Sequence, residues 1–449
     1  GKPKSVTVIY QSSGEFHPRI NRYVRAMLER FVLTVLRQFI QSGHLTITTP
    51  SGRQVRLGAP GSGPAAEITI HDRATMRRLV TRPDLEFGEA YMDGRLTPGA
   101  GGLESLLDLI MTNSSVWSRH WAGRITLGLG NLLAVFRHLN RPGRSRRNVA
   151  HHYDLTDELF DIFLDPWRQY SCAYFHRAED TLETAQITKL ARIAAKLDLK
   201  DGHRVLDIGC GWGGLGRALA LCRRNISVRG ITLSERQLAH ARRAAAQAGR
   251  SDSLDFQLLD YRHQTGRFDR IVSIGMLEHV GPRNYNTYFD RVADLLAPGG
   301  VALIHSIAVH RHATPVNRWL TRYIFPGGYL PSVEQLVHAT AGRGWKLLDL
   351  EVMRGHYADT LRHWRHRFLA SRDLVQALYD ERFVRMWEFY LVGCEYFFRS
   401  QRGMVVQLVL SDDHLAVPVS RAYLHDLETE FRAILCRNSP SGNKKHSPR

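Results

Sequence analysis

The chain has 449 residues, more than one compact core usually holds, and at 43% hydrophobic and 23% charged it reads as ordinary globular protein. Five cysteines, Cys172, Cys210, Cys222, Cys394 and Cys436, are odd in number and form no C-x-x-C pair, which argues against a zinc site or disulfide framework and fits a reducing cytoplasm. The formal net charge of +18 favours a polyanionic partner, either nucleic acid or an anionic membrane. The first residues, GKPKSVTVIYQSSG, lack the apolar core of a signal peptide, and no uncharged apolar run is long enough to span a bilayer.

Residues 21–40, NRYVRAMLERFVLTVLRQFI, place Val24, Met27, Leu28, Phe31, Val32, Val35, Leu36 and Phe39 at helical spacing. The pattern predicts an amphipathic helix that faces a core; Arg22, Arg25, Arg30 and Arg37 on the other face keep a membrane-surface role open. HLTITTPSGRQVRLG alternates like a hairpin turning at Pro50, Ser51 and Gly52, and EITIHD is a further strand. ATMRRLVTRPDLEFGEAYMDGRL predicts a helix, a turn and a second helix. Residues 1–115 are therefore expected to form a small mixed α/β domain, followed by a basic linker over 116–149 that contains RPGRSRR. From residue 150 to 435 short β-rich runs (RVLDIG, SVRGITL, LDFQLLD, FDRIVSIG, GVALIHSI) alternate with helices, ERQLAHARRAAAQAG and NTYFDRVADLLAPGG, each closed by Gly. This predicts a doubly wound parallel α/β sheet with ligands at the carboxyl ends of its strands. Residues 436–449, ending in KKHSPR, read as a basic disordered tail.

The stretch RVLDIGCGWGGLGRALA, residues 204–220, is a strand that breaks into glycines and resumes as a helix. Counted as Gly209, Gly211 and Gly214 it fits a dinucleotide fingerprint; counted as Asp207, Gly209, Gly211 and Gly213 it fits the turn of S-adenosylmethionine (SAM) methyltransferases. The second strand ends in Thr232, Leu233 and Ser234, with Glu235 and Gln237 beyond, rather than in a ribose-binding acid. Asp207 would be awkward beside a pyrophosphate but is compatible with SAM, which has no phosphate. The third strand ends in LLDYR, where Asp260 could reach an adenine amino group, and the fourth runs into GMLEHVG, with an acid and a histidine at the rim. SAM is favoured.

HYDLTDELF, YSCAYF, VLDIGCGWGG, GITLSERQ, DYR, FDRIVSIGMLEHVGPRNYNTYF, YIFPGGYLPS and HYADTLRHWRHRF occur in the order seen in the cyclopropane-fatty-acyl-phospholipid synthase family, which includes the mycolic acid cyclopropane synthases. Residues 150 to about 410 resemble that family, and FGEAYMDG resembles its N-terminal domain more weakly. The resemblance implies a class I SAM-methyltransferase (Rossmann-like) fold with a smaller N-terminal mixed α/β domain. It implies transfer of the SAM methyl carbon to the double bond of an unsaturated phospholipid acyl chain, with ring closure assisted by bound bicarbonate. Residue by residue, Glu278, His305 and Tyr357 match side chains that hold bicarbonate, while Cys172 and Ile307 match backbone contacts there. Tyr170 and Ser171 match the methionine end of the SAM site; Gly209, Gly211 and Gly213 match the loop, Thr232 and Gln237 the ribose side, and Tyr261 and Arg262 the adenine side. The family also implies a homodimer. A basic surface and the amphipathic helix suit peripheral binding to the anionic inner face of the cytoplasmic membrane.

Each position also has a plainer reading. Cys172 could be an ordinary buried thiol, Glu278 a helix-start acid, His305 a core histidine and Tyr357 packing. His363 and His366 lie one turn apart with no third ligand and read as a solvated face, not a metal site. The aromatics Trp319, Tyr323, Phe325, Tyr329, Trp364, Phe368, Tyr390, Tyr396 and Phe397 read mostly as core, with some lining an acyl channel. A related SAM-dependent C-methyltransferase, giving a methyl-branched or methylene chain or acting on another hydrophobic acceptor, would keep the same site. A nucleic-acid methyltransferase would need a base-flipping loop or RNA-binding module, and neither is found. A vestigial lipid-binding scaffold would have lost the glycine loop or the acid, and both are present.

Overall fold

The computed structural model describes residues 18–119, 155–310, 314–341 and 344–440. The amphipathic pattern forms a helix over Pro18–Arg37. It buries Val32 and Leu33 and leaves Met27 and Phe31 exposed. Strands β1 (His44–Thr48) and β2 (Gln54–Gly58) pair antiparallel as the expected hairpin, with Gly52 at φ +80° in the turn. Strand β3 (Ala65–Ile70) lies parallel to β1, and β4 (Leu96–Pro98) completes a sheet of order β2-β1-β3-β4. Alternation puts Leu45, Ile47, Ala66, Ile68 and Ile70 on the buried face. Two helices follow β3, Arg73–Thr81 and Pro83–Met92. Asp72 caps the first by accepting from the Thr75 amide at 2.8 Å, and Pro83 opens the second.

The expected linker starts too early. The helix Gly102–Arg119 runs four residues into 116–149, because TNSSVWSR holds no Gly or Pro to stop it. Residues 120–149, with RPGRSRR, lie outside the described residues.

Helices Asp157–Phe163 and Leu182–Lys196 precede β5 (Arg204–Ile208). Strands β6 (Ser227–Thr232), β7 (Leu254–Leu258), β8 (Phe268–Ile274) and β9 (Leu296–Val309) then alternate with helices Gly214–Cys222, Glu235–Gln247 and Tyr285–Leu295. The last of these helices is not closed by Gly: its cap is Leu296, and the chain enters β9 directly. A two-residue ladder, β10 (Thr314–Pro315) with β11 (Tyr329–Leu330), precedes β12 (Lys346–Met353) and β13 (Gly403–Ser411). The main sheet has the order β12-β13-β9-β8-β5-β6-β7. Strands β5 to β9 are parallel, but β13 runs antiparallel to both β9 and β12, so the sheet is mixed. The order reverses between β5 and β8, which opens the crevice where ligands bind in such sheets.

Between β12 and β13 lie helices His356–Ala370, Arg372–Leu378 and Glu381–Arg399. Their Trp364, Phe368, Trp387 and Tyr390 form one hydrophobic cluster with Leu159, Phe163 and Cys172, and also with Leu85, Met92, Leu103 and Leu107 of the N-terminal unit. Polar ties cross the same boundary. Tyr91 donates to Glu388 at 2.8 Å, Tyr323 to Glu89 at 2.8 Å, and Arg365 to Glu104 at 2.6 Å. The last helix, Ala422–Arg437, extends two residues into the tail expected to be disordered; residues 441–449 lie outside the described residues.

Candidate active site

A cleft with an empty volume of about 1240 Å³, part of it open to solvent, sits at the carboxyl ends of β5 to β8. The segment Arg168–Ser171 forms another part of its wall. Tyr170, Ser171, Asp207, Gly209, Gly211, Thr232, Gln237, Tyr261 and Arg262 all line it. Gly213 does not. It opens the next helix at φ +76°, and a Cβ there would sit 2.7 Å from Phe256 Cζ and 2.9 Å from Ala241 Cβ. The position needs glycine for the close packing of the helix on the sheet. Gly211, at φ +54°, does face open space: the nearest atom to an added Cβ is Gln237 Nε2 at 3.9 Å.

The walls are held by short-range bonds. Thr232 donates to Gln237 Oε1 at 3.1 Å and accepts from the Ser234 amide at 3.2 Å. Arg262 grips Asp260 through Nε and Nη2 at 2.8 and 2.6 Å. Burial works to raise the Asp260 pKa, but the Arg262 bonds and charge outweigh it and hold the carboxyl below its ordinary value. Arg262 therefore stiffens Asp260, and both face the cleft. Tyr170 lies between the cleft and the aromatic cluster, its hydroxyl 2.8 Å from that of Tyr390. Asp207 is buried with Oδ2 lacking a partner; burial pushes its pKa up to about 7 against the pull of Lys189.

Glu278, Cys172, His305, Ile307 and Tyr357 do not line this cleft. Glu278 follows β8 in the GMLEH turn, between Met276 and His279, which do. Its Oε1 accepts from the Ile307 amide at 2.6 Å, while Oε2 is buried without a partner. Burial raises its pKa to about 7, although the Ile307 amide opposes this. Tyr357, first on its helix after His356, has its phenol held well above 10 by burial and by Tyr170, Cys172, Cys394 and Glu278 around it. Cys172 is fully buried, its thiol raised by burial and donating to the Ala173 carbonyl at 3.3 Å, so it stays a neutral thiol. The structure thus gathers Cys172, Glu278, Ile307 and Tyr357 around one spot. His305 lies two residues before Ile307 on β9, hence on the same face, and its carbonyl accepts from the Gly275 amide at 2.9 Å. Burial is the main force that drops its ring pKa to about 3.

Some lining residues are absent from the sequence reading. Arg168 and Gln169 face the cleft, and Lys189 supports it from behind; the histidine expected at the rim, His279, does line it, with Gly275 and Met276 of the same motif. Lys189 is buried and donates to Gln169 Oε1 at 2.5 Å and Ser171 Oγ at 3.1 Å. Its sequence signal was available: Lys189 and Lys196 are seven apart, on the same face as Ala185 and Ile193. His363 is half-buried and stacks on Phe175 with centroids 5.5 Å apart, so it is not on a solvated face; His366 is exposed. Among the described residues no group of three metal-ligating side chains is found.

A family model described as mycolic acid cyclopropane synthetase matches residues 140–408. The chain belongs to this family. It is 38% identical over 365 residues to the cyclopropane-fatty-acyl-phospholipid synthase of Escherichia coli, covering 78% of this chain and 89% of that one. It is 36% identical over 362 residues to the tuberculostearic acid methyltransferase UfaA1 of Mycobacterium tuberculosis, covering 75% and 81%. Among solved structures, the cyclopropane synthase MmaA2 from Mycobacterium tuberculosis superposes with a TM-score of 0.56 at 34% identity, over 59% of this chain and 97% of that one. Mycolic acid cyclopropane synthase CmaA1, solved with SAH and CTAB, gives 0.55 at 34% identity over the same shares. Residues 32–120 match a second family model, Domain of unknown function (DUF7884). This cyclopropane synthetase family member is a SAM-dependent methyltransferase acting in lipid chemistry, with the class I methyltransferase fold. No helix among its described residues is long and apolar enough to cross a membrane.

Proposed function

We propose that this protein is a cyclopropane-fatty-acyl-phospholipid synthase that builds its ring with the help of bound bicarbonate. The observation that carries this reading is Glu278: a buried carboxyl, pushed up to about 7, with one oxygen tied to the Ile307 amide and the other without a partner. Such a group can present a proton to an anion at neutral pH. The 38% identity to the Escherichia coli phospholipid synthase supports the substrate class.

In this reading Asp207, Gly209, Gly211, Tyr170 and Ser171 hold the methionine part of SAM, with Thr232 and Gln237 at the ribose and Asp260, Tyr261 and Arg262 at adenine. All line the cleft, and the unpartnered Asp207 Oδ2 suits an ammonium donor. SAM supplies an electrophilic methyl. The alkene π electrons would form the new C–C bond as the S–CH₃ bond breaks and S-adenosylhomocysteine leaves; the cation left on the other alkene carbon would then close the ring as the new methyl loses a proton. Bicarbonate, when bound, supplies the base that takes this proton. Glu278 would share its proton with that anion, Tyr357 would donate to it as a neutral phenol, and the peptide backbone at Cys172 and Ile307 would complete the cradle, with the Ile307 N–H acting through Glu278, to which it is bonded. The packed rings of Phe163, Tyr170, Trp364 and Tyr390 exclude water, which would trap the cation as an alcohol, and offer π faces to positive charge.

We place the substrate in a membrane surface, with the exposed Met27 and Phe31 as insertion points beside Arg30 and Arg37. The enzyme would work peripherally on the inner leaflet, as a homodimer. The test mixes the full chain, methyl-labelled SAM and vesicles of unsaturated anionic phospholipid, with and without bicarbonate, and reads acyl products by mass spectrometry. The expected result is one added methylene per chain, loss of the alkene, and stimulation by bicarbonate. A methyl-branched or methylene product would instead align the protein with its 36%-identical tuberculostearic acid methyltransferase relative. No labelled lipid would overturn the proposal.

A further inference from the structure

The His305 side chain has a partner on the neighbouring strand. Strand β13 pairs with β9 so that Gln407 stands directly opposite His305, and Gln407 Nε2 lies 3.1 Å from His305 Nδ1. On the far side of the amide, Lys196 Nζ donates to Gln407 Oε1 at 2.8 Å. Lys196 also donates to Glu351 Oε2 at 2.6 Å, and Glu351 is gripped through both oxygens by Arg192 at 2.6 and 2.9 Å. Lys196, Gln407 and His305 are 1%, 0% and 3% exposed, so water cannot take over any of these bonds.

The chemistry of the donors fixes every proton in this row. An ammonium has donors only, so the atom of Gln407 that meets Lys196 must be the oxygen. The amide NH₂ then faces His305, and Nδ1 must accept. A neutral imidazole carries one N–H, which leaves it on Nε2.

We infer that Lys196 and Gln407 are positioning residues that lock His305 in the Nε2–H tautomer, making it a hydrogen-bond donor to the anion of the reaction and not its base. This rests on the function proposed above. Lys189 and Lys196 also add to burial in opposing protonation of the ring, with Glu351 pulling the other way, and the ring pKa falls to about 3. Gln407 has no titratable proton, so a proton released in the site cannot leave through this row. Base and donor are thereby kept as different groups.

The test reads the tautomer in the resting full-length protein. With ring-¹⁵N histidine, the His305 signals are those missing from His305→Asn, and long-range ¹H–¹⁵N correlations distinguish the two nitrogens. The expected pattern is a pyridine-type Nδ1 and a pyrrole-type Nε2; a pyrrole-type Nδ1 overturns the inference. Lys196→Met frees the amide to turn and should give both tautomers. Gln407→Glu can only accept, so the proton should move to Nδ1, with kcat falling about tenfold or more and the KM for SAM within roughly twofold. Folded variants that keep the wild-type tautomer would also overturn it. If neither variant folds, the wild-type spectrum decides alone. Failure of the phospholipid assay would leave the tautomer result standing, so the two readings fail separately.

Discussion

Gly88 and Trp319 touch so closely that a methyl group on Gly88 would sit 2.4 Å from the indole Nε1. They belong to different layers: Gly88 to the N-terminal helix Pro83–Met92, Trp319 to the segment after β9. The indole is 1% exposed and donates to Met92 Sδ at 3.2 Å, so it cannot step aside. Gly88→Ala gains about 1 kcal/mol of helix propensity, but overpacking against a fixed ring costs about 3 kcal/mol. The expected outcome is a net loss of about 2 kcal/mol in urea unfolding. Because the two units share one hydrophobic cluster, the transition should stay single. A separate early transition for the N-terminal unit would contradict that shared core.

Lys189 should matter to SAM without touching it. Its ammonium fixes Gln169 and Ser171, which belong to the cleft wall. Lys189→Met removes both bonds and leaves Asp165, itself pushed up to about 6 by burial, without its nearby positive charge. SAM affinity by calorimetry should fall about tenfold, the loss of one charge-assisted hydrogen bond's worth of order in Ser171. Unchanged affinity would show that the wall holds itself.

Glu278 makes stability depend on pH in a predictable sense. Its folded pKa of about 7 stands above the ordinary 4.5, so between these values the folded chain binds more protons than the unfolded one. Stability should therefore fall as pH rises through this window, by about 3 kcal/mol in all. Glu278→Gln keeps the bond from the Ile307 amide and has no carboxyl to titrate. Urea unfolding at pH 5 and pH 8 should show wild type losing most of that amount, about 2.5 kcal/mol, relative to the variant. Equal slopes would mean that Glu278 is charged in the fold at both pH values.

The strand–turn–helix of RVLDIGCGWGGLGRALA was legible because its signal is local: an apolar run, glycines at positive φ, then helical spacing. Strands β12 and β13 left no comparable trace in the βα alternation. They are separated by the helices of 356–399, and antiparallel pairing of β13 with β9 is a long-range choice. The same distance separates what was readable in the site from what was not. Glu278 and His305 sit in recognisable motifs. The helical face shared with Ala185 and Ile193 marks Lys189 and Lys196 as inward-facing, but the partner that lets Lys196 stay buried, Gln407, is 211 residues away and leaves no local trace. Gly213 adds a reason that spacing alone does not carry: a Cβ there would meet Phe256 at 2.7 Å.

The N-terminal helix offers the last test. Met27 and Phe31 are 67% and 61% exposed one turn apart, with Arg30 and Arg37 exposed nearby. If they enter the acyl boundary of a membrane, their burial contributes about 2–3 kcal/mol together. Replacing both with Ser should weaken sedimentation with anionic vesicles on the order of thirtyfold or more, while SAM affinity stays as it was. Binding should also weaken as salt screens the arginines. Vesicle binding unchanged by the double substitution would move the docking surface elsewhere on the protein, because two large apolar side chains cannot leave a lipid contact without cost.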